Sequence, residues 1–316
     1  MTPSHSTEHT RVIDAPPRAV YGLVADVHRW PAIFGSCVHA RTTGAAGRGE
    51  HVEMWTGSST AVDFWSSHRT LDPYRLHIGF THDHSPLPVT SLRGAWHFRA
   101  LRDGRTEAVL RHRFRARDRD SDAAERLRRV LDADCRARLA ELARLAEIRH
   151  PVDEVVFSFK ESFEWDGGAG AAYDFMHRAD LWEQRLPHTS RSTVTEIAPD
   201  AQLLELRIVA PDGVTHRSGS VRVCRAPEWI AYKQLSPHAL LIGHSGVWTF
   251  EDGPAGPVVT SRHTLSLDPA AAAEAFGDGV TLAGIRADLQ QSLGRSNAAT
   301  MTHAAIYSAR PEAGAR

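Results

Sequence analysis

Residues 64–76 read FWSSHRTLDPYRL and set an indole, a hydroxyl and a guanidinium at alternate positions, Trp65, Ser67 and Arg69. In an extended strand, alternate side chains share a face, so these three project together and His68 projects the other way. An arginine stays charged at any working pH and carries several N–H donors. Aimed at an oxygen on which negative charge develops, such a group lowers a reaction barrier. Ser67, on the same face, could relay a proton or orient water, and Trp65 would supply an apolar wall.

Metal chemistry finds less support. The chain has 19 histidines, but a divalent site needs three or four convergent ligands. The tightest cluster, His82-Asp83-His84, precedes Ser85-Pro86 and reads as a loop or strand end. The three cysteines, Cys37, Cys135 and Cys224, show neither zinc spacing nor a disulfide framework. No metal and no cofactor are expected.

The 316 residues suffice for roughly two domains. Apolar residues make up 42% and charged residues 24%, the mix of a soluble globular protein. A net charge of −1 lacks the basic footprint of a nucleic-acid binder. No stretch has the apolar length to span a bilayer, and MTPSHSTEHT does not read as a secretory signal. A cytoplasmic location and no membrane partner are the expectations.

The chain repeats itself. Gly94-Ala95-Trp96-His97-Phe98 matches Gly246-Val247-Trp248-Thr249-Phe250, Val20-Tyr21 and Trp30 match Ala172-Tyr173 and Trp182, and Ser67 and Arg69 match Ser220 and Arg222. Arg111-His112 match Arg262-His263. The separation is too long for a solenoid and implies two copies of one fold, residues 1–150 and 151–316. Each copy opens on an alternating segment, Thr10 to Ile13 or Val155 to Glu164, followed by a short helix, Pro17–Val27 or Ala169–Ala179. In the first copy, alternating segments follow at His51–Gly57, Ala61–Leu71, Arg75–Thr81, Thr90–Arg102 and Glu107–Ala116. Asp103-Gly104 and Asp252-Gly253 mark matching hairpin turns. Each copy closes on a long amphipathic helix, Ala123–Ile148 with Leu127, Val130, Leu131, Leu139, Leu142 and Leu145, and Val280–Ser308 with Leu282, Ile285, Leu289, Leu293, Ala298 and Met301. The fold class is α+β: two tandem domains, each a curved antiparallel sheet covered by a long helix, with room for an internal cavity.

This order of elements resembles the helix-grip fold of the START-like, Bet v 1-like proteins. Trp30-Pro31-Ala32-Ile33-Phe34, the segment Trp65–Pro73 and the tandem duplication resemble the didomain aromatase/cyclases of bacterial type II polyketide synthases, over essentially the whole chain. The resemblance implies a poly-β-ketone substrate on an acyl carrier protein, an intramolecular aldol condensation, and dehydration to an aromatic ring. Members of this kind are linked to C9-reduced chains and C7–C12 closure. On this reading Arg69 and Ser67, with Arg222 and Ser220 in the second copy, carry catalysis. Trp30, Phe34, Met54, Trp65 and Trp96 line the first substrate site, and His216, Ser218 and Trp248 the second. Where the first copy has Trp65 the second has Ser218, and the WPxxF stretch becomes Trp182-Glu183-Gln184-Arg185-Leu186, so the second site is more polar. The general base stays open among His84, His112, His244, His263, water and the substrate's own acidic protons. Arg111, Arg113, Arg115 and Arg117 alternate on one strand face that is either simply solvated or attractive to an acidic carrier protein. A non-catalytic carrier of hydrophobic ligands and a synthase scaffold are the competing readings, since fold alone does not fix function.

Overall fold

The structure is a computed structural model and describes residues 3–46, 49–117, 121–165, 168–209, 213–254, 256–277 and 279–308. The chain divides into two compact units, residues 1–56 with 63–153, and residues 154–316 with the turn 57–62.

The first unit runs β1 (His5–Ile13), α1 (Pro17–Ala25), a 3-10 turn (Val27–Arg29), α2 (Trp30–Ile33), β2 (Cys37–Ala46), β3 (Gly49–Gly57), β4 (Val62–Asp72), β5 (His77–His84), β6 (Val89–Ala100), β7 (Thr106–Ala116) and α3 (Ser121–Ala146). Its seven strands form one sheet in the order β1-β7-β6-β5-β4-β3-β2. Only β1 leaves the meander, pairing antiparallel with β7. The second unit repeats the plan with α4 (Val152–Val155), β8 (Val156–Glu164), α5 (Ala169–His177), a 3-10 turn (Ala179–Leu181), α6 (Trp182–Arg185), β9 (Thr189–Ala198), β10 (Ala201–Val209), β11 (Thr215–Arg225), β12 (Trp229–Gln234), β13 (Leu241–Gly253), β14 (Gly256–Leu267), α7 (Pro269–Phe276) and α8 (Leu282–Ser308). Its sheet order is β8-β14-β13-β12-β11-β10-β9, the same topology.

Local chemistry sets the elements. Pro17 occupies the first turn of α1, where no N–H is needed. Asp26 ends α1 and restarts the chain as a 3-10 turn, its carboxylate accepting from the His28 N–H at 3.0 Å. Asp103-Gly104 turns β6 into β7 with Gly104 at φ 85°, a left-handed conformation suited to glycine. Leu127, Leu131, Leu139, Leu142 and Leu145 of α3 are buried. Val130 is not: it is 52% exposed, a step round the helix from Leu131, and Cys135 fills the stripe instead. β2 carries no apolar alternation in Arg41-Thr42-Thr43-Gly44 and was not anticipated. In the second unit α7 precedes α8, with Asp268 capping it by accepting from the Ala270 and Ala271 N–H groups.

Two features bear on an interior site. Trp65, Phe80, Tyr232 and Gln234 project from the concave side of their sheets yet keep solvent-accessible surface. Separately, a groove of about 820 Å³ lies on the outward face of the first sheet, where Gly79 and Ala95 leave it bare between His68, His77, Arg93, Arg111 and Arg113.

Candidate active site

Strand register places one transverse row of residues across each sheet. In the first unit Arg69 pairs with Phe80, Phe80 with Gly94, Gly94 with His112, and His112 with Thr7. In the second, Arg222 pairs with Tyr232, Tyr232 with Gly246, Gly246 with His263, and His263 with Phe159. Directly paired residues share a face, so each row reads arginine, aromatic, glycine, histidine on the concave side. The glycines are obligatory. A Cβ at Gly94 would overlap the Phe80 ring and the Arg111 carbonyl, and one at Gly246 would overlap the Tyr232 ring.

Arg69 is 2% exposed. Its Nη2 donates to the carbonyls of Ala25 at 3.0 Å and Val24 at 3.3 Å, the last turn of α1. Its Nε lies 3.3 Å from Glu50 Oε1, and its guanidinium sits 5.0 Å above the Trp30 ring. A cation at a helix C-terminus complements the dipole and satisfies open carbonyls. Trp30 is held by the same turn, its Nε1 donating to Val24 O at 3.1 Å. Burial pulls the Arg69 pKa down to about 10, against the carboxylate of Glu50, and it stays charged at neutral pH. Nη1 is buried and has no acceptor in the protein.

The second unit rebuilds this device. Arg222 Nη2 donates to Met176 O at 2.6 Å, at the end of α5. The guanidinium lies 6.0 Å from the Trp182 ring, and Trp182 Nε1 donates to Phe175 O at 3.1 Å. Arg222 Nη1 again lacks an acceptor. Burial lowers the Arg222 pKa. Among the described residues no carboxylate ion-pairs with it: Gln202 stands where the first unit has Glu50.

Around the first row, Ser67 is buried and pairs with His82 across β5. The His82 ring lies 5.2 Å from Trp65 and 5.5 Å from Phe80. Burial, aided by Arg138, lowers the His82 pKa to about 4. His112 meets Cys135 of α3, Nδ1 to Sγ 3.4 Å, and burial holds its pKa near about 3. Both imidazoles are neutral at working pH. Burial also raises the Cys135 thiol to about 12 and the Cys224 thiol to about 11.

Around the second row the polar groups are linked. Tyr232 Oη lies 3.0 Å from His263 Nδ1, and His244 Nε2 lies 3.1 Å from the same atom. His263 Nε2 meets Ser261 Oγ at 3.2 Å and Asn297 Nδ2 of α8 at 2.8 Å. Ser218 Oγ donates to Gln234 Oε1 at 3.1 Å.

Of the residues singled out from sequence, Trp30, Phe34, Met54, Ser67, Arg69, Trp96, Ser220, Arg222 and Trp248 are buried. Trp65 is half-buried, packs against the Leu92, Phe114, Leu127 and Leu131 cluster and donates to Thr56 Oγ1 at 2.8 Å. Ser218 is half-buried, whereas His216 is exposed near the start of β11, where the strand has run past the buried part of its face. It therefore does not join the interior as expected. His68 points outward to Asp83, Nε2 to Oδ2 3.4 Å, as strand alternation requires. His84 is exposed, while His112, His244 and His263 are interior. Glu50, His82, Tyr232 and Asn297 were not foreseen, because only strand register and the docking of the closing helix bring them in.

Two curved sheets, each closed by a long helix around a buried arginine and a row of aromatic and imidazole groups, define a protein of the helix-grip class. Comparison with known proteins narrows this. Residues 4–147 match the family described as polyketide cyclase/dehydrase and lipid transport. The granaticin polyketide synthase bifunctional cyclase/dehydratase of Streptomyces violaceoruber is 47% identical over 302 residues, covering 95% of this chain and 93% of that protein. The actinorhodin polyketide synthase bifunctional cyclase/dehydratase of Streptomyces coelicolor is 40% identical over 311 residues, covering 95% and 96%. The crystal structure of the di-domain ARO/CYC BexL from the BE-7585A biosynthetic pathway superposes with a TM-score of 0.83 at 33% identity, covering 97% of this chain and 100% of that one. The chain belongs to the didomain aromatase/cyclases of type II polyketide synthases, the bifunctional cyclase/dehydratases.

Proposed function

We propose that the chain takes a C9-reduced poly-β-ketone held on an acyl carrier protein, closes its first ring between C7 and C12 by an aldol step, and promotes dehydration to the aromatic ring. The observation that carries this reading is the Arg69 guanidinium, buried, charged and with Nη1 left without an acceptor beside Trp30 and Phe80. That donor is suited to the enolate or alkoxide oxygen of an aldol step. The neutral His82 imidazole, in register with Ser67, is placed to receive the α-proton, with the Ser67 hydroxyl as its relay. The aromatic walls hold two carbons of one flexible chain in reacting geometry, a contribution comparable in size to the chemical assistance itself. The two domains, residues 1–150 and 151–316, each contribute an interior. No helix among the described residues is long and apolar enough to cross a membrane, and three buried free cysteines suit a reducing cytoplasm.

The test is reconstitution with a carrier-bound reduced polyketide and analysis of products. Addition of the protein is expected to shift the mixture from spontaneous cyclisation products to one first-ring aromatic product. An unchanged mixture, with ligand binding intact, would favour a carrier without catalysis.

Arg111, Arg113, Arg115 and Arg117 are exposed along β7, and Arg111 is bonded to Glu8 at 2.6 Å. We assign this face, with the groove beside it, to docking of the acidic carrier protein. Arg113→Glu with Arg115→Glu is expected to weaken carrier binding by about tenfold and flatten its salt dependence, because screening acts on exposed charge. Titration calorimetry at two salt concentrations reads both effects. Affinity and salt slope equal to wild type would place docking elsewhere.

A further inference from the structure

From arginine to histidine the two rows are alike except at the aromatic position, where the first unit has Phe80 and the second has Tyr232. The rings occupy the same place, each over its glycine, so the added hydroxyl is a chemical difference on a shared frame. A buried phenol requires a partner, and the second unit supplies a connected set. Asn297 Nδ2 lies 3.0 Å from Glu161 Oε2. That carboxylate accepts only, which fixes Nδ2 as the amide donor. Asn297 therefore donates to His263 Nε2, and the imidazole proton sits on Nδ1, facing Tyr232 Oη and His244 Nε2. With Nδ1–H donating to its oxygen, Tyr232 is free to direct its own proton elsewhere. Tyr232 as a whole is half-buried, in register with Arg222 and two residues from Gln234, which Ser218 meets, and burial of its phenol raises the hydroxyl's pKa so that the proton is held until a substrate oxygen takes it. The transverse row of the first unit carries no such donor. Phe80 has no hydroxyl, and His112 faces a thiol.

We propose that Tyr232 is the proton donor for the dehydration step, with His263, His244 and Asn297 as its positioning residues, so that ring closure and water loss belong to different units. This rests on the aromatase/cyclase reading given above. Tyr232 Oη gives its proton to the departing hydroxyl of the closed ring. The C–O bond breaks with its electron pair on oxygen, and water leaves. The electron pair of the neighbouring C–H bond forms the new double bond, and that proton returns to the phenolate. Tyr232 ends as it began, and the substrate has lost one water. His263 Nδ1–H stabilises the transient phenolate. Burial holds the pKa of His263 near about 4 and that of His244 near about 3, so neither carries a competing charge.

The full chain with a carrier-bound reduced polyketide provides the test. Tyr232→Phe is expected to retain ring closure, accumulate ring-closed products one or two waters heavier than the aromatic, according to whether the C7 or C9 hydroxyl or both remain, and slow aromatisation by about 10²-fold or more, the usual worth of a general acid. His263→Gln keeps the phenol but withdraws the Nδ1 donor. It should slow the same step less and move its pH profile, which a merely structural role would not do. A Tyr232→Phe protein of wild-type melting temperature that aromatises at the wild-type rate overturns the proposal. So does one that loses ring closure and dehydration in parallel. If wild type changes no product, the aromatase/cyclase reading itself fails, a different outcome from either.

Discussion

Arg69→Ala should abolish directed ring closure, with a loss of about 10²–10³-fold in the rate of the first-ring product, while spontaneous cyclisation products rise. The same substitution should cost stability. It takes the N–H donor away from the carbonyls at the end of α1 and leaves the Glu50 carboxylate without its cation, and breaking a buried pair costs about 3–5 kcal/mol. The two effects separate in the double variant Arg69→Met with Glu50→Gln. Removing both charges together relieves the unpaired carboxylate, so thermal stability should recover most of the way. Activity should not recover, because no donor remains for the substrate oxygen. Arg69→Lys is expected to behave like the alanine variant in catalysis, since an ammonium cannot bridge the α1 carbonyls, Glu50 and the Trp30 face while holding a spare N–H. Thermal melts and product profiles of these three proteins check the prediction. Wild-type ring closure in the double variant would remove Arg69 from the chemistry.

Acid should unfold the protein at a pH where most cytoplasmic domains survive. His82 and His263 titrate near about 4 in the folded chain, and His112 and His244 near about 3. In the unfolded chain each titrates near about 6.5. As pH falls below that value the unfolded state takes up protons that the folded interiors refuse, so stability drops and keeps dropping until the folded values are reached. Each such group contributes roughly 2 kcal/mol of lost stability by about pH 5. His244 and His263 share a hydrogen bond, so their contributions do not simply add. Two such groups fall in each unit, and a loss of up to about 4 kcal/mol per unit is comparable with the lower end of the 5–15 kcal/mol by which domains are stable. Urea melts from pH 7.5 down to 4.5 should show a steep fall beginning near the unfolded histidine value. His112→Phe, which still fills its site, should shallow that slope. A stability flat across the range would show that these imidazoles are not buried neutral.

The sequence carried the duplication, the α+β class and the buried face of β4, because each depends on local spacing. Alternation alone put Arg69 inside and His68 outside. It failed where the signal is not local. β2 is built from small and polar residues and declares itself only by pairing with β3. His216 shares a strand face with Ser220 and Arg222, but whether a face is covered depends on where the strand leaves the sheet's interior. Tyr232, His263 and Asn297 come from β12, β14 and α8, and no one-dimensional pattern aligns them. The match of Arg262-His263 to Arg111-His112 was visible, and with the strand order in hand it would have pointed to both interior imidazoles.

The Cys135 and Cys224 thiols are buried and held protonated well above neutrality, so neither is a thiolate that could capture the acyl group of an entering thioester. On the function proposed above, the aromatic product is expected to leave as it arrived, still a thioester on its carrier, with the enzyme acting on a leash it never cuts.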